Sequence, residues 1–241
     1  MCTMRLRIAM TSVWLLGFAG CLLLPASLCA AEGSGGAAVE AEKKASAVAD
    51  AEVDSDGWRK LFDGKTLEGW KPSEFTGQGK VEVKDGTLVI GWGEGCSGVN
   101  YTKDFPKMDF EVEVVAMRVD GSDFFSSITF PIHDQFATLV IGGWGGGVIG
   151  ISCIEGMDAS ENATTTYRPF DQKTWYTIRL RVTEKDGIQA WIDGKEMVKH
   201  PIKGYKFTLR WEIEDSKPFG IASFNSTAAL KSVRMRKVQS N

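Results

Sequence analysis

Between Trp175 and Val198 the chain alternates apolar and polar residues in three short runs, Trp175 to Val182, Ile188 to Ile192 and Glu196 to Val198. They are separated by Lys185-Asp186-Gly187 and Asp193-Gly194. Alternation at period two marks half-buried strands, and Asp-Gly supplies the positive φ angles of a tight hairpin turn. The segment therefore reads as a three-strand antiparallel meander. The same pattern recurs upstream. Val81 to Val83, Lys84-Asp85-Gly86 and Thr87 to Ile90 form a hairpin, and Asp109 to Met117 places Phe110, Val112 and Val114 on one face and Glu111 and Glu113 on the other. Phe124 to Ile132, Phe136 to Ile141, Val148 to Ile154, Phe219 to Phe224 and Ala229 to Val238 complete the strand-like runs. No stretch of the domain sustains a 3.6-residue apolar period, which excludes the parallel α/β classes and leaves an all-β antiparallel sandwich.

The N-terminus is of a different kind. Arg5 and Arg7 precede an apolar run from Ile8 to Leu24, followed by Pro25 and the small residues up to Ala31. This is the layout of a secretory signal peptide over residues 1–31 and predicts an exported protein, with cleavage after Ala30 or Ala31. Phe18-Ala19-Gly20-Cys21 also resembles a lipobox, so a lipid anchor on Cys21 is the second reading, and the one route to a membrane. Residues 32–56 hold seven acids, two lysines and seven alanines without an aromatic residue. Such a stretch cannot bury enough apolar surface to offset its ordering entropy and reads as a disordered linker. One domain, residues 57–241, follows.

Charge narrows the partners. Of 28 basic residues, removal of Arg5 and Arg7 leaves 26 against 31 acids, and the linker accounts for the whole difference of five. A neutral domain has no basic footprint for nucleic acid. Two cysteines (Cys96, Cys153) and two histidines (His133, His200) do not make a zinc-ligand spacing, so no metal or other cofactor is expected. A Cys96 to Cys153 disulfide is one reading of the pair, and two reduced buried thiols the other.

The string Trp58-Arg-Lys-Leu-Phe-Asp-Gly-Lys-Thr-Leu-Glu-Gly-Trp70, with the hairpin Val83 to Ile90, resembles the opening of the 3-keto-disaccharide hydrolase domain family. Tyr101 to Glu111, Trp175 to Val182, Trp191-Ile-Asp-Gly-Lys195, Phe219 to Ser223 and Val233 to Arg236 extend the resemblance over nearly the whole domain. It implies a concanavalin A-like lectin/glucanase jelly roll and an activity on the glycosidic bond of a carbohydrate. Three polar features common in the family are replaced. Phe125 to Ile132 stands for an Asn-Ser-Gly-Ile run ending in Arg, Ser223 to Ser226 for Gln-x-His-Gly, and Val115 with Met117 for a late Glu and Arg. A non-catalytic lectin-like module of the same fold is therefore the alternative.

Glycosidic cleavage generally uses two carboxyl groups about 5 to 9.5 Å apart, which same-face strand residues satisfy. Glu212 and Glu214, read as an edge strand in Trp211 to Asp215, are one candidate pair. Glu111 and Glu113, whose bland reading is a solvated row, are the other. For sugar binding, Trp92 and Trp144 stand out because their glycine neighbours cannot cover an indole ring. His133, beside Asp134, is a candidate acid or base. Trp58, Trp70, Trp175 and Trp191 read as core.

Overall fold

The computed structural model describes residues 53–239. The expected signal peptide, most of the expected linker and Cys21 lie outside them. Among the described residues the strands are β1 (Arg59–Lys60), β2 (Trp70–Pro72), β3 (Val81–Lys84), β4 (Thr87–Ile90), β5 (Cys96–Tyr101), β6 (Phe110–Gly121), β7 (Ser127–Ile132) and β8 (Gln135–Gly143). They continue with β9 (Val148–Ser152), β10 (Thr166–Tyr167), β11 (Trp175–Thr183), β12 (Gly187–Ile192), β13 (Lys195–His200), β14 (Gly220–Phe224) and β15 (Ser226–Lys237). A 3₁₀ helix spans Trp211–Ser216.

Two antiparallel sheets result. The first runs β13-β12-β11-β6-β15-β4-β3, with β1 added beside β15, and the second runs β10-β9-β8-β7-β14-β5-β2. The expected meander is β11-β12-β13. In the Lys84-Asp85-Gly86 turn both Asp85 (φ 49°) and Gly86 (φ 76°) take the left-handed conformation that such a hairpin needs.

Alternation sets the layers. Phe110, Val112, Val114 and Ala116 of β6, with Ile178, Leu180 and Val182 of β11, point inward from the first sheet. They meet Ile128, Phe130 and Ile132 of β7, Leu139 and Ile141 of β8, and Ile149 and Ile151 of β9. Each of these fully buried large aliphatic or aromatic side chains contributes about 1.5–3 kcal/mol through the area it removes from water. The opposite phase of the second sheet is built of small residues instead: Cys96 and Gly98 on β5, Ala222 on β14, Ser127 and Thr129 on β7, Thr138 on β8, and Gly150 and Ser152 on β9. Short side chains leave a floor on which other segments and a cavity can sit.

Three expectations change, and the cysteines follow the reduced reading of the pair. Residues 53–56, placed above in the linker, form a turn on the domain: Val53 bridges to Arg59, and Asp54 Oδ1 accepts the amide hydrogens of Asp56 and Trp58. Trp211 to Asp215 is a 3₁₀ helix and not an edge strand, because Ile213 and Ser216, three apart, are its buried positions. Cys96 and Cys153 are free and buried. They belong to β5 and the end of β9, four strand spacings or roughly 19 Å apart, beyond the reach of a disulfide. Trp175 and Trp191 are not core: Trp175 is exposed at the start of β11, and Trp191 is half-buried on the outer face of the first sheet under Arg179 and Arg181, whereas Trp58 is buried beneath Arg234 and Arg236.

Candidate functional site

The outer face of the second sheet carries a cavity of about 230 Å³. Its floor is Cys96, Ser127, Thr138, Val140 and Ser152, and its walls are Phe124, Phe224, Trp144, Asp123, Arg210, Glu212 and Ile213. Phe124 and Phe224 stack at 5.7 Å between centroids and give one apolar wall.

Trp144 stands at the turn after β8, in Gly142-Gly143-Trp144-Gly145-Gly146-Gly147, and is 45% exposed. The turn is held from two sides. The buried guanidinium of Arg118 donates to the carbonyl oxygens of Gly142 (3.4 Å), Gly146 (3.1 Å) and Phe170 (3.4 Å), and it stacks over the Phe125 ring at 5.1 Å. Burial lowers its pKa from the ordinary value, yet an arginine stays charged. Asp123 accepts hydrogen bonds from the amides of Phe124 (2.8 Å) and Gly145 (3.1 Å). At Gly142 (φ 75°) a Cβ would sit 2.7 Å from Arg118 Nη2, so glycine is required there.

Glu212 reaches the same cavity from the 3₁₀ helix. Arg210 clasps it in two hydrogen bonds, Nη2 to Oε1 at 2.7 Å and Nε to Oε2 at 3.2 Å, and through Nη1 also pairs with Asp158. The guanidinium hydrogen bond holds the Glu212 carboxyl below its ordinary 4.5, against an opposing effect of burial. Asp158 in turn accepts from Ser152 Oγ at 3.0 Å, so the Arg210 bridge ties the helix to the loop after β9. Burial, reinforced by the Glu212 charge, pushes the Cys96 thiol up to about 12, which makes it a packing group and not a nucleophile.

Of the residues singled out from sequence, the structure brings Glu212 and Trp144 to this cavity. The others lie elsewhere. Glu214 turns to solvent and pairs with Lys217. Trp92 is 50% exposed in the turn between β4 and β5 and does not line the cavity. His133 bonds Glu184 (Nε2 to Oε1, 2.8 Å) and not Asp134, which pairs with Lys107. Glu111 and Glu113 occupy the outer face of the first sheet, across the sandwich. The expected solvated row is in fact a charged layer: Glu111 is 0% exposed, ringed by Arg179 (3.1 Å), Arg181 (3.2 Å) and Arg236 (2.8 Å), while Glu113 pairs with Arg234 at 2.8 Å. Arg234 and Arg236 cover Trp58, and Arg179 and Arg181 cover Trp191, at 4.5–5.6 Å from ring centroids. The cation–π layer expels water from Glu111.

Sequence reading overlooked Arg118, Asp123, Arg210 and Asp158. Arg118 had a visible signal: it falls in the inward phase of Phe110, Val112, Val114 and Ala116, where a charge demands a purpose.

The sandwich is shared with solved structures of low identity. A candidate glycosyl hydrolase from Parabacteroides distasonis is 14% identical with a TM-score of 0.51, covering 79% of this chain and 100% of that one. The Crh5 transglycosylase in complex with NAG is 18% identical with a TM-score of 0.51, covering 76% and 85%. The Emp47p carbohydrate recognition domain is 13% identical with a TM-score of 0.50, covering 79% and 100%. No curated protein matches the chain in sequence. The model of one family matches residues 57–238, and by that match over most of its length the chain belongs to the 3-keto-alpha-glucoside-1,2-lyase-like domain family.

Proposed function

We propose that this protein is exported and cleaves the glycosidic bond of a 3-keto-glucoside bound in the cavity between Trp144 and Glu212. One observation carries the reading: an exposed indole and an ionised carboxylate line the same cavity, beside small hydroxyl side chains that can orient a sugar. The chemistry follows from the substrate class in the family's name. A ketone at C3 acidifies the hydrogen on C2. A base removes that proton as the C1–O bond to the aglycone breaks, the departing oxygen takes up a proton to leave as an alcohol, and addition of water across the resulting C1=C2 double bond makes the net change a hydrolysis. Such a path needs a base at C2 and does not need the facing pair of carboxyls used on an ordinary glycoside. We assign that role to Glu212, which lines the cavity and is kept ionised by Arg210.

The test is release of aglycone from 3-keto-α-glucosides by the full chain. Glu212→Gln is expected to lower kcat about 10²-fold or more, and Trp144→Ala to raise KM. Because its pKa is depressed, Glu212 is a base at all pH values above 4.5, so the acid limb of the rate profile falls below that value. Release that survives Glu212→Gln contradicts the assignment. The second reading, a sugar-binding module without turnover, draws on the hydrogen bonds already made by Glu212 to Arg210 and by Asp123 to the chain. Saturable binding without release would establish it.

A further inference from the structure

We propose that a second cavity, at the edge of the first sheet where β1 meets β15, binds a small organic phosphate through Arg59 and Lys237. It shares no residue with the cavity on the second sheet and is independent of the sugar reading.

Arg59 is a charge in an inward phase. It lies opposite Met235 of β15, and directly opposed residues of an antiparallel pair share a face. Met235 is buried in the core, so Arg59 is on the inner side of the sheet at its edge, where it is half-buried. Arg118, also in an inward phase, is satisfied by three carbonyl oxygens. Arg59 has no hydrogen bond or ion pair among the described residues, and its Nε is buried without a partner. A guanidinium drawn partly out of water and left unpaired is held at a cost that an anion would offset.

Arg59 lines a cavity of about 510 Å³, within the roughly 300–1,000 Å³ of sites for organic ligands. Lys237, two residues beyond Met235 in β15, lines it too and is likewise unpaired among the described residues. Arg236 adds a positive charge but is already held, by Glu111 and by the carbonyl oxygen of Asp56 at 3.3 Å. Asp104 is the one acid of the lining; it is exposed and makes no ion pair with either free cation. Phe105, Pro106 and Met235 give an apolar wall. Phe105 is fixed there, stacked on Phe219 at 4.1 Å and edge-on to Phe110 at 5.0 Å between centroids. Two unpaired cations call for about two negative charges, which a phosphate monoester carries near neutral pH and a carboxylate does not. The apolar wall takes the organic part.

An arginine kept for a ligand also has a signature that a structural arginine lacks: replacing it with methionine strands no partner, so the empty fold keeps or gains stability. The experiment titrates the full chain by calorimetry with phenyl phosphate, inorganic phosphate and benzoate, and records Tm without ligand. Phenyl phosphate is expected to bind about tenfold more tightly than either of the others. Arg59→Met should weaken it about tenfold or more with Tm unchanged or raised. Lys237→Gln, at an exposed position, should weaken it about threefold with Tm unchanged. Phenyl phosphate that fails to bind, binds no better than benzoate or inorganic phosphate, or keeps its Kd in Arg59→Met overturns the site. A lower Tm for Arg59→Met overturns it as well, because the guanidinium then serves the fold.

Discussion

Arg118 is a charge placed where the strand pattern calls for a hydrocarbon. Its guanidinium replaces water for two carbonyls of the glycine-rich turn, Gly142 and Gly146, where that turn carries Trp144 out of the β8 ladder, and for the carbonyl of Phe170 ahead of β11. Removing it leaves those acceptors buried, at about 1–3 kcal/mol for each one that stays unpaired. We expect Arg118→Met to lower stability by about 3 kcal/mol and to weaken sugar binding, with Arg118→Lys recovering the fold better than the binding. Chemical denaturation and ligand titration of both variants check this. Equal loss of binding and stability in the lysine variant would leave Arg118 a purely structural residue. Arg118 was legible from its phase on β6, whereas nothing local identifies Arg210 as the clasp of Glu212, because its other partner, Asp158, is 52 residues away.

At the scale of elements, alternation revealed the long strands but was silent or misleading where segments are short. β5 reads Cys-Ser-Gly-Val-Asn-Tyr and is buried on both faces, so it shows no alternation and escaped notice. Five residues from Trp211 fit period two as well as a 3₁₀ turn, and only the burial of Ile213 and Ser216 separates them. The charged layer over β6, β11 and β15 illustrates the reverse case. Glu111 alternates as a surface residue should, yet cross-strand arginines seal it: Arg181 and Arg236 stand directly opposite Glu111 in register. Glu111→Ala is expected to cost about 3–5 kcal/mol by leaving three arginines packed together without their carboxylate. Glu113→Ala, in a more exposed pair, should cost about 1 kcal/mol or less. Urea unfolding midpoints of the two variants measure the difference.

For the molecule as a whole, the two sheets divide structural and functional tasks. The first sheet closes its outer face with the arginine, glutamate and tryptophan layer, while the second keeps short side chains outward and so has room for a cavity. The sandwich was legible because turns and alternation are local signals. Half of the site was not, since Asp123, Arg210 and Glu212 meet only after β7, β14 and the 3₁₀ helix come together. In this division of tasks the sugar site lies on the second sheet. Hydrogen-exchange mass spectrometry of the full chain, with and without saturating methyl 3-keto-α-glucoside, tests it directly. Protection is expected over residues 122–127, 138–146 and 209–214, with no change over 110–114 and 233–237. Protection confined to the β6 and β15 segments would contradict it.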